Sequence, residues 1–277
     1  MEIGCHDRDV VSIDRDRGRF IGALAPLLPV GFYYKAFHRP RALFPYWERL
    51  IRQFSGLGEI TPAHPATRGT TRRANCDVLV IGAGVAGLAA ARELAGQGVS
   101  VIVVDENAQA GGTLSYRYDA DGSAQGLLRA ALAVLGDAPR VRLMTSTCAV
   151  GCYADRTVAL AAPEGLMVVQ ARSIIVATGA VEQPAVFHNN DLPGVMLASA
   201  AERLVRRYAV APCRRAVVLA GNADAYGAAL GLKAAGIEIA AIVDLEDPDA
   251  RGTSAAAARA QGIRVLARSQ VSAAQAH

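Results

Sequence analysis

Hydrophobic positions follow two spacings along this chain, and the alternation between them predicts a strand–helix–strand order that occurs twice. Asp77-Val-Leu-Val-Ile81 is a short apolar run that stops at a glycine-rich stretch, Gly82 to Gly87. Runs of this length, bounded by turn residues, read as buried strands. Leu88 to Gln97 is rich in alanine and predicts a helix, and Val99 to Val104 predicts a second buried strand. The order returns with a strand at Arg215–Ala220, a helix at Ala223–Ala235 and a strand at Ile237–Val243. A helix at Ala255–Gln261 follows, and a further strand begins at Ile263–Leu266. Such β-α-β units call for parallel strands joined by a right-handed crossover. Between the two units the pattern predicts a helix at Gln125–Leu135. Short strands within Val141–Tyr153, at Thr157–Leu160 and at Leu166–Ala171 suggest a small antiparallel meander. Ala171–Ala177 reads as another buried strand.

The turn after the first strand carries the chemistry. Gly82-Ala83-Gly84-Val85-Ala86-Gly87 has the glycine spacing of a dinucleotide-binding turn, with a buried strand before it and a helix after it. Gly82 permits the tight turn, Gly84 lets backbone approach a pyrophosphate, and Gly87 lets the helix pack closely on the strand. The helix N-terminus offers unpaired N–H groups and the positive end of a dipole to phosphates. Asp105 closes the second strand at the place of a ribose-binding acid, with Glu106 beside it. An acid there disfavours the additional phosphate of NADP. Gly111-Gly112-Thr113 follows after a short loop, where backbone can approach the ligand again.

The strand Ile174-Ile-Val-Ala177-Thr178-Gly179 resembles the alanine-threonine-glycine strand that leads from the first to the second nucleotide domain in two-dinucleotide-domain flavoproteins. The resemblance implies that Ala177, Thr178 and Gly179 border the cofactor and that Val150, in the meander, lies against the adenine. The fold class expected is α/β: a Rossmann-like FAD/NAD(P)-binding domain with a parallel sheet and a small antiparallel meander, plus a partial second Rossmann-like domain. The second glycine stretch, Gly221-Asn-Ala-Asp-Ala-Tyr-Gly227, has Ala223 and Tyr226 where the second and third glycines would stand. A tyrosine there crowds a pyrophosphate, so this unit is expected to keep the fold without binding a nicotinamide nucleotide.

The expected organisation is a leader and linker at 1–74, the nucleotide-binding domain at 75–190 and the degenerate second domain at 191–277. The leader differs in kind from the body. Residues 1–75 hold 12 basic and 7 acidic side chains, and 9 of the 15 aromatic residues fall between Phe20 and Phe54. Leu43, Tyr46, Trp47, Leu50, Ile51 and Phe54 recur at helical spacing and predict a short amphipathic helix over Ala42–Phe54. It would pack on the main domain or offer a docking surface to a partner subunit. No RNA-binding motif accompanies these aromatics, so nucleic acid is not an expected partner. Thr61–Ala74 has linker composition.

No apolar run reaches the roughly 20 residues of a membrane span, and the charged start lacks a signal core. A cytoplasmic protein is expected. Cys5, Cys76, Cys148, Cys152 and Cys213 are odd in number and scattered, which argues against a disulfide framework. Cys148 and Cys152 fall on one strand face and are read as ordinary buried thiols. His6, His38, His64, His188 and His277 lack metal-ligand spacing, and no acid, base or nucleophile arrangement reads as catalytic.

Three stretches resemble the alpha subunit of heterotetrameric sarcosine oxidase: Leu27–Phe37, Ala180–Ala200 (containing Asn-Asp-Leu-Pro-Gly-Val-Met-Leu-Ala-Ser-Ala) and Arg207–Val218. The resemblance implies NAD, or FAD as in related alpha subunits, at the Gly82–Gly87 site. It implies an FMN at an interface with a beta-type flavoprotein subunit, further subunits, and oxidation of the C–N bond of sarcosine or another small secondary amino acid. The chain departs from that family by lacking its N-terminal ferredoxin-like and C-terminal folate-type domains and by stopping early in the second nucleotide domain. Exposed apolar sheet edges are the expected consequence, and a fragment is the expected nature of the chain. The alternatives are a self-contained FAD-dependent reductase and a non-catalytic remnant. The first would need a redox cysteine pair or an intact second glycine turn.

Overall fold

The computed structural model describes residues 10–12, 15–16, 40–54 and 70–275. The Leu27–Phe37 stretch, most of the linker, and His6, His38, His64, His277 and Cys5 lie outside the described residues. The chain divides into two compact units, 1–67 and 68–277.

In the first unit, β1 (Val10–Ser12) pairs with β2 (Arg15–Asp16) antiparallel. The predicted amphipathic helix is present as a 3-10 turn, Arg41–Leu43, running into α1 (Phe44–Phe54). Leu43 and Tyr46 are exposed.

The second unit opens with β3 (Thr70–Ile81), α2 (Val85–Ala95), β4 (Val101–Val104), α3 (Ser123–Gly136), β5 (Val141–Met144), β6 (Cys148–Cys152), β7 (Thr157–Ala162) and β8 (Gly165–Val176). Their strands form one six-stranded sheet in the order β5-β4-β3-β8-β7-β6. β5, β4, β3 and β8 run parallel, while β7 and β6 are antiparallel additions.

Side chains alternate across this sheet as the pleat requires. Val101 and Val103 join Val80, Leu88, Leu128 and Leu135 in the layer beneath α2 and α3. Ile102 and Val104 join Leu79, Val158, Leu160, Met167 and Val169 in the layer toward the meander. Strands covered on both faces read as continuous apolar runs, which is why Val101–Val104 shows no alternation in sequence.

The structure corrects the sequence reading at three places here. β3 begins at Thr70, inside the stretch read as linker, and Thr70–Ala74 pairs with Gly165–Val169. Thr70 to Arg73 are exposed, so this ladder carries polar side chains and has the composition of a loop. The segments read as two strands, Leu166–Ala171 and Ala171–Ala177, are one strand, β8, because β3 pairs along its whole length. Val141–Met144 belongs to the parallel sheet rather than to the meander.

After an extended stretch come α4 (Ala198–Tyr208), β9 (Arg215–Ala220), α5 (Asp224–Ala234), β10 (Glu238–Asp244), α6 (Thr253–Ala260) and β11 (Val265–Leu266). The strands form a separate parallel sheet, β11-β10-β9. Its core gathers Tyr226, Leu230, Ile239, Ile242, Ala258 and Ile263. β9 is an edge of this sheet and Val217 on it is exposed, as expected of an α/β layer with few strands. The chain end returns to the connecting stretch: His188 N–H donates to Ser272 O at 3.1 Å, and Ala274 N–H donates to His188 O at 2.9 Å.

The two α/β halves are clasped by the loop after Gly111–Gly112. Arg117 pairs with Asp224 at 2.9 Å, and Tyr118 N–H donates to Glu202 Oε1 at 3.2 Å. Burial pushes the Glu202 carboxyl above the usual range. Its ionised form is therefore disfavoured in the folded chain, and stability is expected to rise as pH falls from neutral toward that raised value. Glu202→Gln keeps the acceptor for Tyr118. It is expected to flatten that part of the stability–pH profile, measured by thermal melting from pH 5 to pH 8.

Candidate nucleotide site

The glycine turn folds as its spacing predicts, and each glycine has a distinct reason to be there. Gly82 has φ +106°, and a Cβ on it would stand 2.2 Å from Ala177 O. Gly87 packs so tightly that a Cβ would stand 1.8 Å from Gly82 O. These two are demanded by the protein's own packing. Gly84 is different. It sits at φ −81°, ψ −165° as the N-cap of α2, a conformation open to any residue. A Cβ there would meet nothing nearer than Gly112 Cα at 3.9 Å. No side chain caps α2, so the first turn's N–H groups face outward.

The loop after β4 closes over this turn. Gly111 N–H donates to Ala83 O at 2.7 Å, and a Cβ on Gly112 would stand 2.9 Å from Gly84 Cα. Thr113 lies in the 3-10 turn Gly112–Ser115. Ala177 N–H donates to Ile81 O, which places Ala177 and Thr178 beside Gly82. Gly179 follows at φ +77°. The structure thus brings Gly82, Ala83, Gly84, Gly111, Gly112, Ala177 and Thr178 together at the ends of β3, β4 and β8. Val85 and Ala86 are exposed on the first turn of α2. This is the end of a parallel sheet where doubly wound folds take ligands.

Asp105 is buried and already engaged. Its Oδ2 accepts from Ala83 N–H at 2.7 Å, and its Oδ1 accepts from the Asn107 N–H and Nδ2, both at 2.9 Å. A carboxylate offers about four acceptor positions, so one stays open after these three. Glu106 is exposed beside it. Thr147 N–H donates to Asp105 O at 2.8 Å, which brings the start of β6 to the same corner. Val150, on β6, is 58% exposed, so its side chain is free to meet a flat ring.

The expectation that Cys148 and Cys152 are buried thiols on one face is corrected: both are exposed, and a bulge between Ala149 and Gly151 sets Cys148 opposite Ala161 and Cys152 opposite Val158, three residues apart on β7, which breaks the simple alternation. β6 is the edge strand of the sheet.

The second glycine stretch is closed from within. Tyr226 and Asp244 are both 0% exposed, and the Tyr226 hydroxyl donates to Asp244 Oδ2 at 2.8 Å. Arg251 grips both oxygens of Asp244, with Nε to Oδ2 at 3.0 Å and Nη2 to Oδ1 at 2.8 Å. The Arg251 guanidinium holds the Asp244 carboxyl down to about 2, and burial pushes the Tyr226 phenol up to about 12. Asp244 ends β10 as Asp105 ends β4, yet its carboxylate faces Tyr226 and Arg251. Sequence reasoning found Tyr226 through the missing glycine and did not find Asp244 or Arg251. An acid at the end of the second strand was the available signal.

Among the described residues no cluster of His, Cys, Asp and Glu has metal-holding geometry, and no helix is long and apolar enough to cross a membrane.

The fold is of the α/β class of dinucleotide-binding proteins, a parallel sheet with a glycine turn followed by a second α/β unit. Comparison with known proteins agrees: residues 76–277 match the family model for pyridine nucleotide-disulphide oxidoreductases. The chain belongs to that family. It is also similar to the alpha subunit of sarcosine oxidase from Rhizobium meliloti (strain 1021), 38% identical over 253 residues. That match covers 84% of this chain and 25% of the relative, so the chain spans about a quarter of its length. A component of opine oxidase from the same strain is 30% identical over 175 residues, which is 61% of this chain and 38% of that one. Among solved structures, L-proline dehydrogenase from P. horikoshii superposes with a TM-score of 0.56 at 24% identity, covering 66% of this chain and 38% of that chain. This last likeness supports the fold alone.

Proposed function

We propose that this chain is the dinucleotide-binding part of a multi-subunit oxidoreductase that oxidises the C–N bond of sarcosine or a related secondary amino acid. The observation that carries the nucleotide claim is Gly84. Neither a steric contact nor the backbone conformation demands glycine there, and its preference over alanine as an N-cap amounts to only about 1 kcal/mol or less. An approaching pyrophosphate demands it, because a side chain at the mouth of α2 would hold the phosphates away from the free N–H groups.

The Gly82–Gly87 turn, Gly111, Gly112 and Thr113 would surround the pyrophosphate. Asp105, with Glu106, would accept from ribose hydroxyls, and Val150 would lie against the adenine. Ala177, Thr178 and Gly179 would form the floor. NAD or FAD fits these residues, since both present an adenine ribose and a pyrophosphate. Such a cofactor supplies hydride chemistry when bound; the residues here bind and orient it. The similarity to subunits of sarcosine oxidase and opine oxidase supports the C–N donor class and a heteromeric assembly; a beta-type flavoprotein partner and an FMN at their interface are part of the proposal. Oxidation of the amine is assigned to the assembly, since the relatives are single subunits of larger enzymes.

The experiment is extraction of bound cofactor from the purified chain, followed by assay of sarcosine-dependent dye reduction with and without a co-expressed beta-type subunit. NAD in the extract, and turnover only with the partner, is the expected result. FAD in the extract moves the assignment to the opine-oxidase side. Turnover by the chain alone would contradict the subunit reading.

A further inference from the structure

We infer that Arg207 is an anion contact of the nucleotide site, a guanidinium supplied by the second α/β half to a pyrophosphate held by the first. This rests on the nucleotide reading above and deepens it. α4 carries Arg203, Arg206 and Arg207 against the loop that follows Gly111–Gly112. Arg203 and Arg207 both stand over the buried Tyr116 ring, at 4.8 and 5.3 Å from its centre. Arg207 Nη2 donates to Ser115 Oγ at 2.6 Å, and Nη1 reaches Asn107 Oδ1 at 3.4 Å. Arg203 Nη2 donates to the Tyr116 hydroxyl at 3.3 Å.

Among the described residues neither arginine pairs with a carboxylate. Arg117, Arg172, Arg215, Arg251, Arg259 and Arg268 all do. Two like charges thus share one aromatic ring, and the side-chain hydrogen bonds they make go to neutral groups. A second observation points the same way. Arg207 Nε is fully buried and has no acceptor, and a buried donor left unpaired is costly. An arrangement of this kind is resolved by an anion that draws the guanidinium onto itself.

The partners of Arg207 show where that anion belongs. Asn107 is the residue that holds Asp105, and Ser115 Oγ donates to Gly112 O at 2.7 Å. Arg207 therefore braces both ends of the loop whose middle, Gly111–Gly112, faces Gly84. Asp105 to Ser115 contains two acids and no base, and the one base of α2, Arg92, lies in its last turn. Neither the Asp105–Ser115 loop nor the first turn of α2 supplies a basic side chain beside the helix N-terminus, and α4 brings one. Arginine suits the task because its planar fork matches two phosphate oxygens.

The test is calorimetric titration of the full chain with ADP-ribose and with adenosine, at low and moderate salt, for wild type, Arg207→Ala and Arg207→Lys. Wild type that does not bind ADP-ribose defeats the nucleotide reading itself, and Arg207's role with it. With wild-type binding in hand, Arg207→Ala is expected to weaken ADP-ribose by roughly tenfold or more, the loss of one charge-assisted contact. It should flatten the salt dependence and leave adenosine unchanged, and Arg207→Lys should recover part of the affinity. Equal losses for ADP-ribose and adenosine would show that Arg207 merely holds Asn107 and Asp105, and would overturn the proposal. Unchanged ADP-ribose affinity would do the same. Should Arg207→Ala not fold, Arg207→Gln replaces it with the same expected outcomes, since it keeps a donor for Ser115 without the charge.

Discussion

Gly87→Ala is expected to destabilise the second unit by about 3 kcal/mol or more, the upper range for overpacking. The added methyl would stand 1.8 Å from Gly82 O, with backbone on both sides of the contact. Nothing flexible can move aside, so α2 must lift from β3. That motion would separate Leu88 and Ala91 from Val80 in the layer beneath the helix. Gly84→Ala is the matched control. Its methyl meets ordinary van der Waals distance at most, and its backbone is in the extended region. The entropy it removes from the unfolded chain and the poorer N-cap preference of alanine oppose each other, so its stability should stay within about 1 kcal/mol of wild type. Urea unfolding of the two variants side by side checks both statements.

Arg251→Met is expected to cost about 3–5 kcal/mol, because it leaves a buried carboxylate without its counter-charge. Asp244 is 0% exposed, and the Tyr226 hydroxyl and Glu246 N–H are its remaining partners. Tyr226→Phe removes one hydrogen bond to the carboxylate and keeps the ion pair, so about 1–3 kcal/mol is expected. The same network sets a pH window. Asp244 is held at about 2 against a usual 3.8, so its contribution is present above the unfolded value and is lost as pH falls through about 2. Tyr226 is raised to about 12 from 10.0, so its contribution is present below 10.0 and is lost as pH rises through about 12. Urea midpoints taken from pH 5 down to pH 2 should fall steeply in wild type and only weakly in Arg251→Met.

The first β-α-β unit was legible because three independent signals coincide there: a buried run, a glycine turn and an acid at the end of the next strand. The structure realises all three. Burial on both faces hid the pleat of Val101–Val104 but not the existence of the strand. The start of β3 was illegible for the opposite reason. Thr70–Arg73 makes a full ladder while its side chains face water, so its composition is that of a linker.

α4 was missed because Leu204 and Val205 are its only large aliphatic residues and are adjacent, which gives no helical stripe. Missing α4 also hid Arg207, whose meaning depends on where the helix docks. The second unit's closure could be half read. Tyr226 announced itself by replacing a glycine, whereas Arg251 belongs to a 3-10 turn (Pro248–Arg251) that no periodicity marks. The thiols of β6 were misjudged because a strand's edge position depends on the whole sheet and is not written in Cys148–Cys152.

Gly84 stands at the centre of the nucleotide reading, as a glycine that no steric contact of the protein demands. The direct measurement is ADP-ribose affinity of the full chain for wild type and Gly84→Val, with melting temperatures taken on the same samples. The expected result is a folded Gly84→Val whose melting temperature without ligand lies within a few degrees of wild type, a rise with ADP-ribose for wild type alone, and no measurable binding by Gly84→Val. Equal binding by the two proteins, or none by a folded wild type, would contradict it.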